Sequence, residues 1–259
     1  MILSDTDKHL LELMDEIIDA YPKIFNTEEG VYELTNGRCV PRVTQVIHSC
    51  IHNEGLMRWA NYIGYKRQSY TKTLEAAANV GIYCHQYINE YIEQSKVPNI
   101  YASMDAPLES FNAYLSFAKW FNDIKNLATV KPLRNEYSLL CKYFGGTLDG
   151  LYDINGKMYV VDYKTSNHVT FNYCLQVAAY DFMLEYLEDI HTDGYIILQL
   201  SKVNPSFNEY SLHKYDPAHK EFMTYCRTAF LTMALWYYYM SVINIQYKTL
   251  KWEGKKEDG

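Results

Sequence analysis

Residues 146–164, GTLDGLYDINGKMYVVDYK, contain two short runs of β-branched and aromatic residues that meet at Asn155-Gly156. An Asn-Gly pair between two such runs is a strong signal for a hairpin with a two-residue turn. Because this turn sets the pairing of the two strands, we expect Asp149 to lie directly opposite Asp162. The residues around Asp162 are apolar on both faces of its strand, which indicates a central, buried position in a sheet.

The two opposed aspartates indicate a cation site. Carboxylates that face each other across an antiparallel pair have Cβ atoms about 4.5–5.5 Å apart and repel each other. A divalent cation would offset this repulsion, since Mg²⁺ and Mn²⁺ bind carboxylate oxygens, water and phosphate. Lys164 lies two residues after Asp162 and therefore on the same face of the strand. The alternative is an ordinary ion pair in which surface carboxylates at the strand ends are balanced by Lys164.

Helical patterns lie on both sides of this β-rich centre. Apolar residues at helical spacing predict helices over 2–20, from Thr44 as a possible N-cap to 62, over 74–94 with a break or bend near Gly81, and over 106–127. Strands are predicted over 136–142, 146–154, 157–164 and 195–200, with an edge strand over 209–215. A helix is predicted over 172–188, and a final one begins at Pro217, after Asp216 as its N-cap, and ends near 246.

This order of elements predicts the fold class. We expect an α/β protein with a central mixed β-sheet flanked by helices and an N-terminal helical elaboration. Residues 1–130 would form the helical region. Residues 131–259 would form the sheet-containing core with its C-terminal helix, within one structural unit.

Composition sets broad limits on the function. The chain has 259 residues, of which 48% are hydrophobic and 21% charged, as in globular proteins, and no run reaches the ~18 apolar residues that a membrane helix needs. The net charge of −7 argues by itself against a nucleic-acid partner. However, residues 1–29 hold eight acids and two lysines, so the rest of the chain carries 22 basic and 23 acidic side chains. The start of the chain resembles no export or transit signal, and we expect a cytoplasmic protein.

The cysteines give no sign of a metal cluster. They are widely spaced, without a C-x-x-C pair, which is typical of reduced thiols and not of a zinc or iron–sulfur site. The six are Cys39, Cys50, Cys84, Cys141, Cys174 and Cys226.

Several motifs in order resemble those of one family. They are Glu136, GGTLDG at 145–150, VVDYKTS at 160–166, and Gln176-x-x-x-Tyr180. Together they resemble the PD-(D/E)XK nuclease superfamily, in particular its RecB-like exonuclease branch. Upstream, PRVTQVI at 41–47, the segment 56–59 and GIYCH at 81–85 resemble the helical region before the core in phage exonucleases and mitochondrial genome maintenance exonucleases. The resemblance covers about residues 40–200.

The resemblance implies a restriction-endonuclease-like core and phosphodiester hydrolysis by a metal-activated water, with Mg²⁺ or Mn²⁺. It implies that Lys164 positions or deprotonates this water, and that Gln176 and Tyr180 approach the nucleic acid. The implied metal ligands are His85, Asp149, Asp162 and the backbone carbonyl of Tyr163.

Each supporting residue also has a structural interpretation. A single helical histidine such as His85 is often only a satisfied side chain. Gln176 and Tyr180 are four residues apart on one helix face, so they could simply bond to each other. Glu136 could reach the metal through water or be a strand-end acid. We also expect Lys142 and Thr165 to lie near the phosphate, and Ser166 to cap the turn before the next helix.

A basic and aromatic segment over 58–72 offers a route for a DNA strand. Phosphate-binding cations interleaved with rings for base stacking suit single strands. Gly64 suggests a bent connection within the segment, and the alternative is a surface helix whose rings pack inward. The candidate nucleic-acid contacts are Arg58, Lys66, Arg67, Lys72, Tyr62, Tyr65, Tyr70 and Thr165.

From the sequence we therefore expect a metal-dependent DNA exonuclease that acts on single-stranded ends in recombination, repair or phage DNA processing, in a bacterium or a phage-infected cell. A recombination or replication protein is a possible partner. A structure-selective endonuclease, or a nucleic-acid-binding subunit of a helicase–nuclease complex, is the alternative. The cluster-bearing relatives fit poorly, because only Cys226 follows residue 174.

Overall fold

A computed structural model describes residues 3–22, 24, 31–51, 54–94, 97–98 and 105–250. The helices are α1 (Asp5–Ala20), α2 (Val43–Cys50), α3 (Glu54–Tyr65), α4 (Tyr70–Gln94), α5 (Leu108–Leu127), α6 (Phe171–Glu188) and α7 (Pro217–Thr249). The strands are β1 (Val31–Glu33), β2 (Cys39–Pro41), β3 (Val130–Leu140), β4 (Gly145–Ile154), β5 (Lys157–Lys164), β6 (Gly194–Leu200) and β7 (Phe207–His213).

The centre of the protein is a five-stranded mixed sheet in the order β3-β4-β5-β6-β7. Strands β3, β4 and β5 form an antiparallel meander, and β7 is antiparallel to β6. Only β5 and β6 run parallel within this sheet, and α6 connects them. A parallel pair needs such a crossover. The predicted α/β class with a mixed sheet and flanking helices, including one at the N-terminus, is confirmed.

Helices cover both faces of the sheet because successive side chains of a buried strand point in opposite directions. Val160 belongs to a core formed with α1, α2, α6 and α7. Its neighbour Val161 belongs to the opposite core, formed with α4 and α5. The sheet is therefore a central layer between two helical layers.

The hairpin register was predicted correctly as far as the strands are paired. The antiparallel pairs run from Ile154–Lys157 to Gly150–Val161. Gly150–Val161 is the pair farthest from the turn. Asp149 and Asp162 are the next residues outward from it, so they lie on adjacent strands just beyond the last pair.

Several element boundaries differ from the prediction. Strand β3 begins six residues earlier than expected, because an edge strand tolerates the proline at position 132 that reads as a strand breaker. The predicted helix from 44 to 62 is two helices, and α2 has Arg42 as its N-cap instead of Thr44. Helix α4 continues through Gly81 without a break. The short hairpin β1–β2 was not predicted.

Two further predictions concern the state of the cysteines and the presence of membrane-spanning helices. All six cysteines are free, and four are buried. Among the described residues, no helix combines the length and apolar character needed to cross a membrane.

Candidate metal centre

Acidic residues of three adjacent strands lie at one level of the sheet. In the β3–β4 ladder, the pairs Asn135–Gly150 and Tyr137–Leu148 place Glu136 opposite Asp149. Asp162 is the corresponding residue of β5. The sequence alone indicated only two of these three positions clearly, and Glu136 was a weak candidate. The pairing of Leu140 with Gly145 next to the β3–β4 turn sets the register of these two strands, and this register brings Glu136 opposite Asp149.

Glu136 has an unusual backbone conformation. Its φ of +45° lies in the left-handed region, which costs a residue with a side chain about 1–2 kcal/mol. Such strain is often found at functional sites. Here it coincides with three carboxylates on adjacent strands, whose mutual repulsion is itself unfavourable.

His85 of α4 reaches this cluster from the helical layer. Its Nδ1 lies 2.9 Å from Glu136 Oε1 and 3.6 Å from Asp149 Oδ1, and its Nε2 lies 3.3 Å from the carbonyl oxygen of Tyr163. Burial lowers the pKa of His85, but Asp149 and Glu136 together outweigh burial and raise it to about 9. The protonated imidazole therefore serves as the counter-charge for these two carboxylates.

His85, Glu136 and Asp149 could hold a metal ion. Their ligand atoms all lie within 4.8 Å of one another. Asp149 is nearly fully buried, and its Oδ2 accepts a hydrogen bond of 2.8 Å from the backbone N–H of Tyr163. This bond orients the carboxylate while its other oxygen faces His85. The carbonyl of Tyr163, a candidate ligand, lies beside the same histidine.

Asp162 forms a buried ion pair with Lys164. The lysine Nζ lies 2.7 Å from both carboxylate oxygens, and only 1% of the Asp162 side chain is exposed. The contact with Oδ1 has hydrogen-bond geometry, whereas Oδ2 has no hydrogen-bond partner among the described residues. The alternative interpretation anticipated an ion pair, but at the surface. Burial raises the pKa of Asp162 to about 7 against the opposing effect of Lys164.

Lys164 remains a cation in this environment. Burial lowers its pKa, but Asp162 and then Asp149 outweigh burial, and the net shift is upward. Its ammonium also lies 4.9 Å from the ring centroid of Tyr173 on α6. The lysine is thus held between a carboxylate and an aromatic face.

Gln176 and Tyr180 lie beside the carboxylates and bond to each other. Gln176 Nε2 donates to the Tyr180 hydroxyl at 3.0 Å, which is the structural pair that the spacing allowed. Burial, followed by the charge of Asp149, raises the pKa of Tyr180 well above its usual value. Tyr180 packs against Gly146 so closely that a Cβ atom there would lie 2.7 Å from its ring.

A cavity of about 420 Å³ opens next to His85 and Glu136. Its remaining lining comes from α4 and includes the amides of Gln86 and Asn89. The cluster is therefore accessible to a ligand from the side of α4. The sequence did not indicate these two amides, because only the docking of α4 brings them to the site.

The basic and aromatic segment lies on α3 and the start of α4, and its alternative interpretation does not hold for two rings. Tyr62 is 55% exposed and Tyr65 83% exposed, so neither packs inward. The Lys66 ammonium lies 5.5 Å from the ring centroid of Tyr62. Tyr70 is partly buried and makes an edge contact with Trp59. The cations Arg58, Lys66, Arg67 and Lys72 are exposed.

Two smaller predictions need correction. Lys142 does not lie at the site, because its ammonium pairs with Asp15 of α1 at 2.7 Å. Gly64 lies within α3 and not in a connection between helices. A third is confirmed, since the Ser166 hydroxyl donates to the carbonyl of His168 in the turn before α6.

The interpretation of this site rests on its geometry, because comparisons with known proteins add no relative. No protein-family model and no curated protein matches the chain.

Proposed function

We propose that this protein is a metal-dependent nuclease of the PD-(D/E)XK superfamily, built on a restriction-endonuclease-like core. It hydrolyses phosphodiester bonds of DNA, preferentially as an exonuclease on single-stranded ends, in recombination, repair or phage DNA processing. The observation that carries the proposal is the placement of Glu136, Asp149 and Asp162 at one level of three adjacent strands, with Lys164 two residues beyond Asp162 and paired with it.

The donor set fits Mg²⁺ or Mn²⁺. These ions take mainly oxygen ligands, and Mn²⁺ lies closer to the metals that accept an imidazole. His85, Glu136 and Asp149 would hold the ion, with Asp162 and the Tyr163 carbonyl adjacent. Asp162 Oδ2 makes no hydrogen bond among the described residues, but the Lys164 ammonium lies 2.7 Å from it, so Asp162 is already charge-paired beside the proposed ion. When bound, the ion would supply Lewis-acid chemistry and lower the pKa of a coordinated water.

Beside the metal ion, Asp149 and Lys164 would have separate roles. Asp149, oriented by the Tyr163 N–H, holds its place without needing a metal. Lys164 has a raised pKa and therefore acts better as a fixed positive charge than as a base. A cation at this position would stabilise the negative charge that develops on the phosphate oxygens. Of the two roles considered for Lys164, we propose positioning and charge stabilisation, which its ion pair with Asp162 supports.

The exposed cations and rings of α3 and α4 would bind the approaching strand. Tyr62 and Tyr65 offer exposed ring faces for stacking, and Lys66 and Arg67 are exposed beside them. Helix α4 connects this surface directly to His85. A strand bound on the surface would thus be led along α4 toward the carboxylates.

The proposal is tested with end-labelled linear single strands, duplexes and single-stranded circles, incubated with Mg²⁺, Mn²⁺ or EDTA. The variants are Lys164→Ala and Asp149→Asn. Their matched controls are Lys131→Ala, at an exposed residue, and Asp123→Asn, at a half-buried one that pairs with Lys119. We expect the site variants to lose at least about 100-fold in rate and the controls to match the wild type. Activity that survives EDTA or Lys164→Ala would refute the mechanism. Cleavage of circles would indicate an endonuclease instead.

A further inference from the structure

A second cavity, of about 380 Å³, begins at the residue after Lys164. It lies over the carboxyl ends of the parallel strands β5 and β6, where open α/β sheets generally bind ligands. Thr165 and Gln199 line it, and Gln199 is the ladder partner of Lys164. A Cβ atom on Gly81, which lines the first cavity, would lie 3.6 Å from Thr165 Oγ1. The two cavities therefore approach each other at the proposed catalytic centre.

The walls of this second cavity are mainly neutral and polar. They present the amides of Asn167, Gln199 and Asn208 and the hydroxyls of Thr165 and Ser166. None of the described lining residues is acidic, although three carboxylates lie close by. Side-chain amides offer a donor and an acceptor together, which suits the edge of a nucleic-acid base.

The wall formed by the turn between β6 and β7 is held rigidly by α5. The fully buried Ser116 donates from Oγ to the carbonyl of Ser201 at 3.0 Å and accepts from the N–H of Ser206 at 3.1 Å. Asn112 donates to the carbonyl of Lys202 at 3.0 Å. The cavity is thus formed in advance of any ligand, which lowers the entropy cost of binding.

The amides inside the cavity are also held in place. Gln199 donates from Nε2 to the carbonyl of Ser166 at 2.9 Å and accepts from Asn208 Nδ2 at 3.1 Å. Because an amide nitrogen carries two hydrogens, each amide keeps hydrogen-bonding capacity for a ligand. These bonds orient the amides as a fixed pair.

We infer that this cavity binds one of the two nucleosides that flank the scissile phosphate, with Gln199 and Asn208 contacting the base edge. The inference rests on the proposed nuclease function. The volume is near the lower end of the range for small-ligand sites, about 300–1,000 Å³. It therefore suits a single nucleoside and not a duplex.

The test measures single-turnover cleavage of single strands that carry one abasic residue at successive positions, counted from the bond that is cut. The variants are Asn208→Ala, whose side chain is exposed, and Gln199→Leu, with Asn126→Ala on α5 as a matched exposed amide. In the wild type we expect an abasic residue at one flanking position to slow cleavage about three- to tenfold. Asn208→Ala and Gln199→Leu should slow cleavage of the intact strand by a similar factor. In these variants the abasic residue at that position should have no further effect, because the two changes remove the same contact.

The outcomes separate this inference from the proposed function. Cleavage that needs Lys164 but retains its full sensitivity to the missing base in both variants would overturn the nucleoside site alone. The same holds if no abasic position slows the wild type. Absence of any cleavage with Mg²⁺ or Mn²⁺ would overturn both. Asn208→Ala keeps the test valid if Gln199→Leu fails to fold.

Discussion

Replacement of Asp181 by alanine is expected to destabilise the protein by about 3–5 kcal/mol. Only 1% of the Asp181 side chain is exposed. Its carboxylate lies 3.0 Å from Lys214 Nζ and 2.7 Å from Arg227 Nη2, and it accepts hydrogen bonds from Thr192 at 2.6 Å and Tyr195 at 2.9 Å. Its loss leaves these largely buried cations without their shared counter-charge.

The size of the loss follows from what each cation retains. Arg227 keeps Glu185 at 2.8 Å, while Lys214 keeps only the Thr192 hydroxyl at 3.2 Å among its described partners. For a chain of this length, 1 kcal/mol corresponds to about 2–4 °C in Tm, so we expect a decrease of about 6–20 °C. Calorimetry or circular dichroism during heating measures this decrease.

The matched control is Asp123→Ala. Asp123 also pairs with a lysine, Lys119 at 2.6 Å, but its side chain is 46% exposed. Such a surface pair contributes only about 0.3–0.5 kcal/mol. A decrease for Asp181→Ala no larger than that of this control would refute the reasoning.

The pH dependence gives a second check on the same network. Burial alone would raise the pKa of Asp181, but Lys214 and Arg227 outweigh burial and lower it. A lowered folded-state pKa contributes stability above the unfolded value of about 3.9, and this stability is lost as the pH falls through the folded value. The stability difference between the wild type and Asp181→Asn should therefore narrow below about pH 4. A difference that stays constant from pH 5 to pH 3 would contradict this assignment.

Three further predictions concern the site and the strand-binding surface. In urea unfolding, Glu136→Gly should be about 1 kcal/mol more stable than Glu136→Ala, because only glycine adopts a φ of +45° without steric strain. Equal stabilities of the two variants would argue against backbone strain at this position. The association constant for Mn²⁺, measured by calorimetry, should rise about tenfold per pH unit from about pH 6 to pH 8. The reason is that His85, with a pKa of about 9, must lose its proton before it can bind the metal. A flat pH profile, or the same slope in His85→Gln, would contradict this. Replacing Tyr62, Tyr65 and Tyr70 together by alanine should weaken single-strand binding at least about fivefold without changing Mn²⁺ binding. Tyr225→Ala on α7, which like Tyr62 and Tyr65 is exposed, should not weaken it, and an unchanged strand affinity in the triple variant would exclude stacking on these rings.

The parts of the fold that depend on local signals were predictable. The Asn155-Gly156 turn determined the β4–β5 register. The predicted edge strand is present two residues earlier, and the final helix begins at Pro217 as predicted and ends three residues later. The prediction merged α2 and α3 into one helix, although residues 52–55, HNEG, interrupt the apolar spacing and include a glycine. The early start of β3 has no local signal, since Pro132 is acceptable mainly at a sheet edge, and a position at the edge is a tertiary property.

Physical reasoning from the residues indicated the candidate site only where they are close in sequence, and His85 was added by the family resemblance. The proximity of Asp149, Asp162 and Lys164 followed from one hairpin. The strained backbone of Glu136 has no signature in residue type. Lys142 illustrates the opposite error, since its partner Asp15 lies 127 residues away and nothing local indicates that pair.

The carboxylates and the imidazole of the candidate centre differ in how they are assembled. Glu136, Asp149 and Asp162 come from one continuous meander, whose contacts are local and close only short loops. His85 comes from a separate helix, 51 residues before Glu136. Without the docking of α4 the site is an oxygen-only site, of the kind that hard cations such as Mg²⁺ and Ca²⁺ prefer. If the proposed metal binds here, the packing of one helix would therefore determine which metals the centre selects, as well as where the metal lies.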